Sequence, residues 1–211
     1  MLATKAPASP AGTEEIRLMS IATAAVFCGS RHGDLSGYAE AARALGSALA
    51  HAGVRLIYGG GAVGLMGEVA GAALAAGGAV SGIIPDFLHT REVMHHGVDE
   101  LVVTGSMHER KALMFARAEA FLILPGGLGT FDELMEILTW RQLGLHDKPI
   151  LIVNVLGWAR AVITMLETAV EQGFAAPSTR GLYEVVPDVP AALARLQALN
   201  PVAEAPESAR F

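Results

Sequence analysis

An α/β architecture with a doubly wound, mostly parallel sheet and helices on both faces is the fold class this sequence predicts, and three observations predict it. Short runs that are apolar throughout alternate with longer stretches of helical spacing. Strands of that kind suit a parallel sheet covered on both faces, since a face open to water would show alternating polar positions. Glycine clusters directly follow three of the runs, where strand-to-helix turns belong. A chain of 211 residues suits one such domain, able to bury about 70% of the surface its unfolded form exposes.

Taken in order, residues 1–17 are rich in Ala, Pro, Ser and Thr and read as a disordered tail, without the apolar centre of a signal peptide. Thr23–Cys28 predicts the first strand and Leu35–Ala52 the helix after it. Arg55–Tyr58 and Ala79–Ile84 predict two more strands around a helix over Gly64–Ala76. A fourth strand, Glu100–Val103, leads into "TGSMHERKALMFARAEA". There Ser106 and Glu109 have capping-box spacing, which starts a helix at Met107 that runs to Ala118. Ala120–Leu124 predicts the fifth strand. Thr130 and Glu133 repeat the capping-box spacing and start a helix at Phe131 that reaches Leu143. Ile150–Asn154 and Tyr183–Val186 predict the last strands, separated by a helix over Trp158–Gln172 and followed by a short one over Ala191–Leu199. One domain is expected over 18–199, with a mobile C-terminal tail over 200–211.

Fifteen basic against 21 acidic side chains, a formal charge of −6, disfavour a general nucleic-acid surface, which needs a clustered basic footprint. The single cysteine, Cys28, cannot form an internal disulfide and fits a reducing compartment, as a buried structural thiol. No apolar stretch approaches the roughly 20 residues that span a bilayer, so the expectation is a cytoplasmic protein without membrane segments.

The three glycine clusters converge on one edge of the expected sheet. "FCGSRHG" offers Ser30 and Arg31 after the first strand, and "YGGGAVGLMG" places Gly59, Gly60, Gly61, Gly64 and Gly67 around the second turn. Without Cβ atoms, such turns let backbone amides and a helix N-terminus approach an oxyanion. Gly59, Gly61 and Gly64 also match a dinucleotide fingerprint, but that motif follows the first strand of its fold, and "GSRHG" stands there here. No Gly-Lys-[Ser/Thr] follows any turn, which excludes a P-loop. "LPGGLGTFDEL" adds Gly126, Gly127, Gly129 and Thr130 as donors, with Asp132 and Glu133 as acceptors. The bland reading makes Thr130 and Glu133 a simple cap, yet a cap needs no Pro-Gly-Gly before it. A phosphorylated sugar needs both kinds of group: amides for the phosphate, carboxylates for hydroxyls or for positive charge at the ring carbon. Arg110 and Lys111 lie near a helix start, where cations oppose the dipole unless an anion shares the site.

"PGGLGTFDE" (Pro125–Glu133), "GGGAVGLMG" (Gly59–Gly67) and "MHERKALM" (Met107–Met114) together resemble the LOG family over about Thr23 to Val186. These are cytokinin riboside 5′-monophosphate phosphoribohydrolases, many once labelled lysine decarboxylases. The resemblance implies a Rossmann-like homodimer that hydrolyses the N-glycosidic bond of a nucleoside 5′-monophosphate, releasing free base and ribose 5-phosphate. It implies Arg110 and Glu133 as the catalytic pair. Substrate binding falls to Lys111, the Gly126–Asp132 turn, Glu92 in "REVMHHG" and Thr139. Asp132 departs from the family, many of whose members carry Glu there, and the segment "DFLHTREVMHHG" has a bacterial flavour.

Such hydrolysis passes through an oxocarbenium-like sugar and needs neither metal nor organic cofactor. Met107, Met114, Phe115 and Trp140 are candidates for a flat apolar base pocket. The adjacent His95 and His96 lack the spacing of a metal site. Of the three lysines, Lys5, Lys111 and Lys148, none suits a pyridoxal Schiff base. The rival reading is a non-catalytic nucleotide-binding or carrier protein, which would need the glycines but not Arg110 with Glu133.

Overall fold

The computed structural model describes residues 21–88 and 97–199. Its strands are β1 (Thr23–Phe27), β2 (Arg55–Tyr58), β3 (Val80–Pro85), β4 (Glu100–Thr104), β5 (Ala120–Ile123), β6 (Ile150–Val153) and β7 (Glu184–Val186). The helices are α1 (Ser36–His51), α2 (Gly64–Ala75), α3 (Met107–Arg117), α4 (Leu128–Gln142), α5 (Arg160–Glu171) and α6 (Val189–Ala198). All pairings are parallel, in the order β4-β3-β2-β1-β5-β6-β7. The order runs outward from β1 on one side and resumes with β5 on the other. That reversal opens a crevice beyond the strand ends of β1 and β5, the place where open α/β sheets receive ligands.

Both faces of the sheet are covered, which explains strands without polar alternation. Val26, Leu56 and Leu122 point into a core with Leu45, Leu49, Val69 and Leu196 from α1, α2 and α6. Phe27, Ile57 and Phe121 point into a second core with Met114, Leu134, Ile137 and Val162 from α3, α4 and α5. Small residues bring α1 and α2 close: a Cβ on Gly46 would strike the Val69 carbonyl. Truncating a ring as deep as Phe121 would cost about 3–5 kcal/mol.

Helix starts differ from expectation most at α4, with shifts of one or two residues at α1, α5 and α6. The α3 start at Met107 is as read: Ser106 Oγ accepts from Glu109 N (3.1 Å), and the Glu109 carboxylate accepts from Gly105 N (2.8 Å). The α4 start at Phe131 is corrected to Leu128. Gly127 is the cap residue, no side chain caps the helix, and the Gly127 carbonyl accepts from Phe131 N at 3.0 Å. Gly127 can supply that backbone turn itself, so Thr130 falls in the first helical turn and is not its cap. A short 3-10 turn, Val155–Gly157, precedes α5, which begins at Arg160, two residues after the expected start at Trp158.

Candidate active site at the β1/β5 crevice

Four strand-to-helix junctions meet around a cavity of about 550 Å³. Gly29 and Ser30 follow β1, Gly59 follows β2, Pro125 to Thr130 follow β5, and Trp158 follows β6; all line it, together with Arg110 and Glu133. The junctions are locked to one another through backbone. Gly29 N donates to the Pro125 carbonyl (3.0 Å), while the Gly29 carbonyl accepts from Leu65 N (3.0 Å) and Met66 N (3.3 Å). A Cβ on Gly64, which holds φ +61°, would strike Ser30 and Arg31. The second glycine cluster therefore serves packing between junctions. This corrects the expectation that α2 turns its first amides to an anion, because Gly29 already occupies two of them. Gly60 (φ +79°) packs on Ile84, and neither Gly60 nor Gly61 lines the cavity.

The start of α4 is different. Its fifteen-residue dipole directs a positive end at the cavity, its first turn holds no acid, and no side chain caps it. A Cβ on Gly127 or Gly129 would meet nothing within 4 Å, so neither glycine is required by packing within the chain. Gly129 and Glu133 are four residues apart and share a helix face, which carries the Glu133 carboxylate above the first turn. Glu133 is 8% exposed.

Arg110 is 5% exposed and is held by the sheet itself. Its Nε donates to the Ile83 carbonyl (3.1 Å) and an Nη to the Gly59 carbonyl (3.3 Å). A side chain on Gly59 would occupy the guanidinium's place. Cys28 lines the same cavity and feels both charges. Burial pushes its thiol far above the ordinary range, Glu133 adding to the rise and Arg110 opposing it. The sulfur thus remains a protonated part of the cavity wall, and both charges act on it across the same space.

Other expected residues sit elsewhere. Lys111 Nζ bridges Asp132 (3.0 Å) and Glu136 (3.1 Å), which share the next stripe of α4. Burial pulls its pKa down, but the bonds from Asp132 and Glu136 outweigh that and hold it above the ordinary lysine value. Lys111 and Asp132 therefore tie α3 to α4 and do not line the cavity. Thr139 lies about 16 Å along α4 from its start and returns its hydroxyl to the Met135 carbonyl (2.7 Å). Glu92, His95 and His96 lie outside the described residues. Of the base-pocket candidates, Met114 lines the cavity. Met107 places its sulfur 3.7 Å from Arg110. Phe115, packed against the second core, meets Trp140 edge-to-face (4.6 Å).

Sequence reading missed Trp158, Tyr38 and His32, which also line the cavity. The turn "NVLGWA" after β6 was the available signal: a glycine-bearing junction at the same sheet edge.

A parallel sheet of Rossmann type with an uncapped helix start at its switch point is the arrangement in which open α/β sheets receive anionic ligands. A family described as "Possible lysine decarboxylase" matches residues 66–196. The chain is 46% identical over 177 residues to a rice (Oryza sativa subsp. japonica) "Probable cytokinin riboside 5′-monophosphate phosphoribohydrolase", covering 84% of this chain and 78% of that one. It is 44% identical over 173 residues to the cytokinin riboside 5′-monophosphate phosphoribohydrolase of Rhodococcoides fascians, covering 82% and 87%. The chain belongs to this family, the LOG family. Its fold is shared with the molybdenum cofactor carrier protein of Chlamydomonas reinhardtii, with a TM-score of 0.63 at 22% identity over 84% of this chain and 98% of that one. Among the described residues no helix is long and apolar enough to cross a membrane.

Proposed function

We propose that this protein hydrolyses the N-glycosidic bond of nucleoside 5′-monophosphates, cytokinin riboside monophosphates among them, to free base and ribose 5-phosphate. The observation that carries the reading is the pairing of buried Arg110 and Glu133 across one cavity with the uncapped start of α4. Amides of the Gly126–Thr130 turn receive the 5′-phosphate. Ser30, across the turn, adds a hydroxyl to that end. Glu133 faces the anomeric carbon, stabilises its positive charge and takes a proton from the attacking water. The C1′–N bond breaks toward the base as the C1′–O bond forms. The base leaves with the bonding pair and takes a proton from solvent, which balances the proton Glu133 took from water and later releases. Arg110 is anchored at the ends of β2 and β3, with β1 between it and the turn after β5. Two strand spacings are about 10 Å, so we assign its guanidinium to the base end, opposite the phosphate.

We place the enzyme in the cytoplasm as a homodimer, on the family resemblance and the single buried cysteine. Lys111, Asp132, Thr139 and Glu92 belong to the substrate site on resemblance alone. The test is a panel of purine and pyrimidine monophosphates, including AMP and isopentenyladenosine monophosphate, beside the matching nucleosides. Free base and ribose 5-phosphate are expected from the nucleotides. Binding without cleavage would favour a carrier, and equal cleavage of bare nucleosides would remove the phosphate from the mechanism. A monomer by light scattering would overturn the dimer.

A further inference from the structure

The turn after β5 presents three consecutive peptide carbonyls, and each is held by a donor. Pro125 O accepts from Gly29 N (3.0 Å), Gly126 O from the Trp158 indole Nε1 (3.2 Å), and Gly127 O from Phe131 N (3.0 Å). A trans peptide is planar, with its N–H opposite its C=O. Holding the three carbonyls therefore sets the directions of the Gly126, Gly127 and Leu128 amides. Successive amides turned to one concavity form an anion-binding nest. Of the three latches, two are backbone and belong to the fold. The middle one is a side chain, and it acts on the peptide that most needs it. Gly126–Gly127 joins two residues without Cβ atoms, so this peptide can rotate at little steric cost. Once rotated, it would present a carbonyl to the anion where an amide had been.

Trp158 is built to hold that position. Its ring stacks on Phe131 of α4, with centroids 5.6 Å apart and planes 6° apart. Asn154 Oδ1 accepts from Ala159 N (2.9 Å), closing the turn that carries Trp158. The indole thus grips both the first turn of α4 and the loop before it, and it lines the same cavity.

We infer that Trp158 is a positioning residue for phosphate recognition, its indole N–H locking the Gly126–Gly127 peptide with the amide toward the ligand. This rests on the functional reading above, so the test reads phosphate affinity apart from turnover. Trp158→Phe keeps a ring to stack on Phe131 and removes the donor. Kd for inorganic phosphate and for ribose 5-phosphate, by calorimetry, should rise about tenfold, the scale of one hydrogen bond. KM for AMP should rise in parallel with kcat within about twofold, and whatever adenosine cleavage occurs should be unchanged. A role confined to packing would lower the melting temperature and weaken adenosine and AMP alike. Should Trp158→Phe fold poorly, benzothienylalanine incorporated at position 158 replaces only the N–H by sulfur. Unchanged phosphate affinity in a folded variant of either kind overturns the inference. If the wild-type protein binds phosphate but cleaves no nucleotide, the functional reading fails and the phosphate affinities still decide the lock. A wild-type protein that binds no phosphate overturns both.

Discussion

Arg110 and Glu133 are charged side chains in a place where charge is costly. Burying either one alone would cost several kcal/mol unless something compensates. For Arg110 the compensation is visible: two strand-end carbonyls take its protons, and glycine at position 59 leaves it room. That arrangement leaves guanidinium N–H groups over for another acceptor. Glu133→Gln tests the other charge while keeping its shape. The amide still fits the wall and the phosphate turn is untouched, so AMP should bind as before. Turnover should fall on the order of 10²–10³-fold, as for other lost transition-state contacts. Wild-type turnover in that variant would leave Glu133 with a structural role only. Glu133 could be picked out of the sequence because it stands in a motif with glycines that packing alone does not require, and Arg110 because a cation near a helix start opposes the dipole. Lys111 and Asp132 stand in the same motifs, yet the structure pairs them with each other. Adjacent residues on a helix differ by about 100° in direction, and a linear motif does not say which one faces the cavity.

The junctions between elements decide the site, and they were read unevenly. Capping logic located α3 because Ser106 and Glu109 do bond reciprocally around its start. The same logic misplaced α4, where glycine backbone does the work of a side chain and sequence spacing alone does not reveal it. The β6–α5 junction shows no glycine cluster and went unread, although it supplies Trp158. It also carries the only non-glycine residue with positive φ among the described residues: Leu156, at φ 51° and 64% exposed. A leucine in the left-handed region costs about 1–2 kcal/mol, which asparagine largely avoids. An exposed leucine regains little of that by burial, though its tip does lie against Gly37. Leu156→Asn should therefore stabilise the protein by about 0.5–1 kcal/mol, raising the melting temperature by roughly 1–4 °C. A lower melting temperature would show that the contact with α1 outweighs the backbone strain.

Across the whole molecule, parallel strands and two covered faces followed directly from unbroken apolar runs. The order of the strands did not. Nothing local distinguishes β5 from β4 as the neighbour of β1, and that choice puts the Pro125–Gly127 turn beside Gly29. Stability of the assembled fold should depend on pH in two stages. His146 sits where the α4–β6 connection enters the sheet, against Phe115 and Phe121. Its Nε2 lies 2.9 Å from the Ile137 carbonyl and its Nδ1 3.2 Å from Lys148 N–H. Those partners require the neutral ring, with the proton on Nε2; a second proton would confront the Lys148 amide. Burial lowers its pKa below 6.5 despite the Ile137 bond, with Lys148 and Arg141 adding to the drop and Asp147 opposing it. For a base with a lowered folded pKa, the unfolded chain binds more protons between the two values. The stability His146 contributes is therefore complete above 6.5 and is lost as pH falls from there through the folded value. The second stage belongs to Glu100, Glu184 and Glu68, held below 4.5 chiefly by hydrogen bonds from Arg117, Arg195 and Arg43. Their contribution is present above 4.5 and is lost below it as the folded values are reached. These pairs are largely exposed and each is worth little, so added salt should mute this stage. Urea midpoints measured from pH 8 to 3 should stay level, decline once below about 6.5, and decline again below about 4.5. His146→Gln can still donate to Ile137 but cannot titrate, and it should remove the first decline alone. If that decline persists in the variant, the early acid sensitivity originates outside this connection.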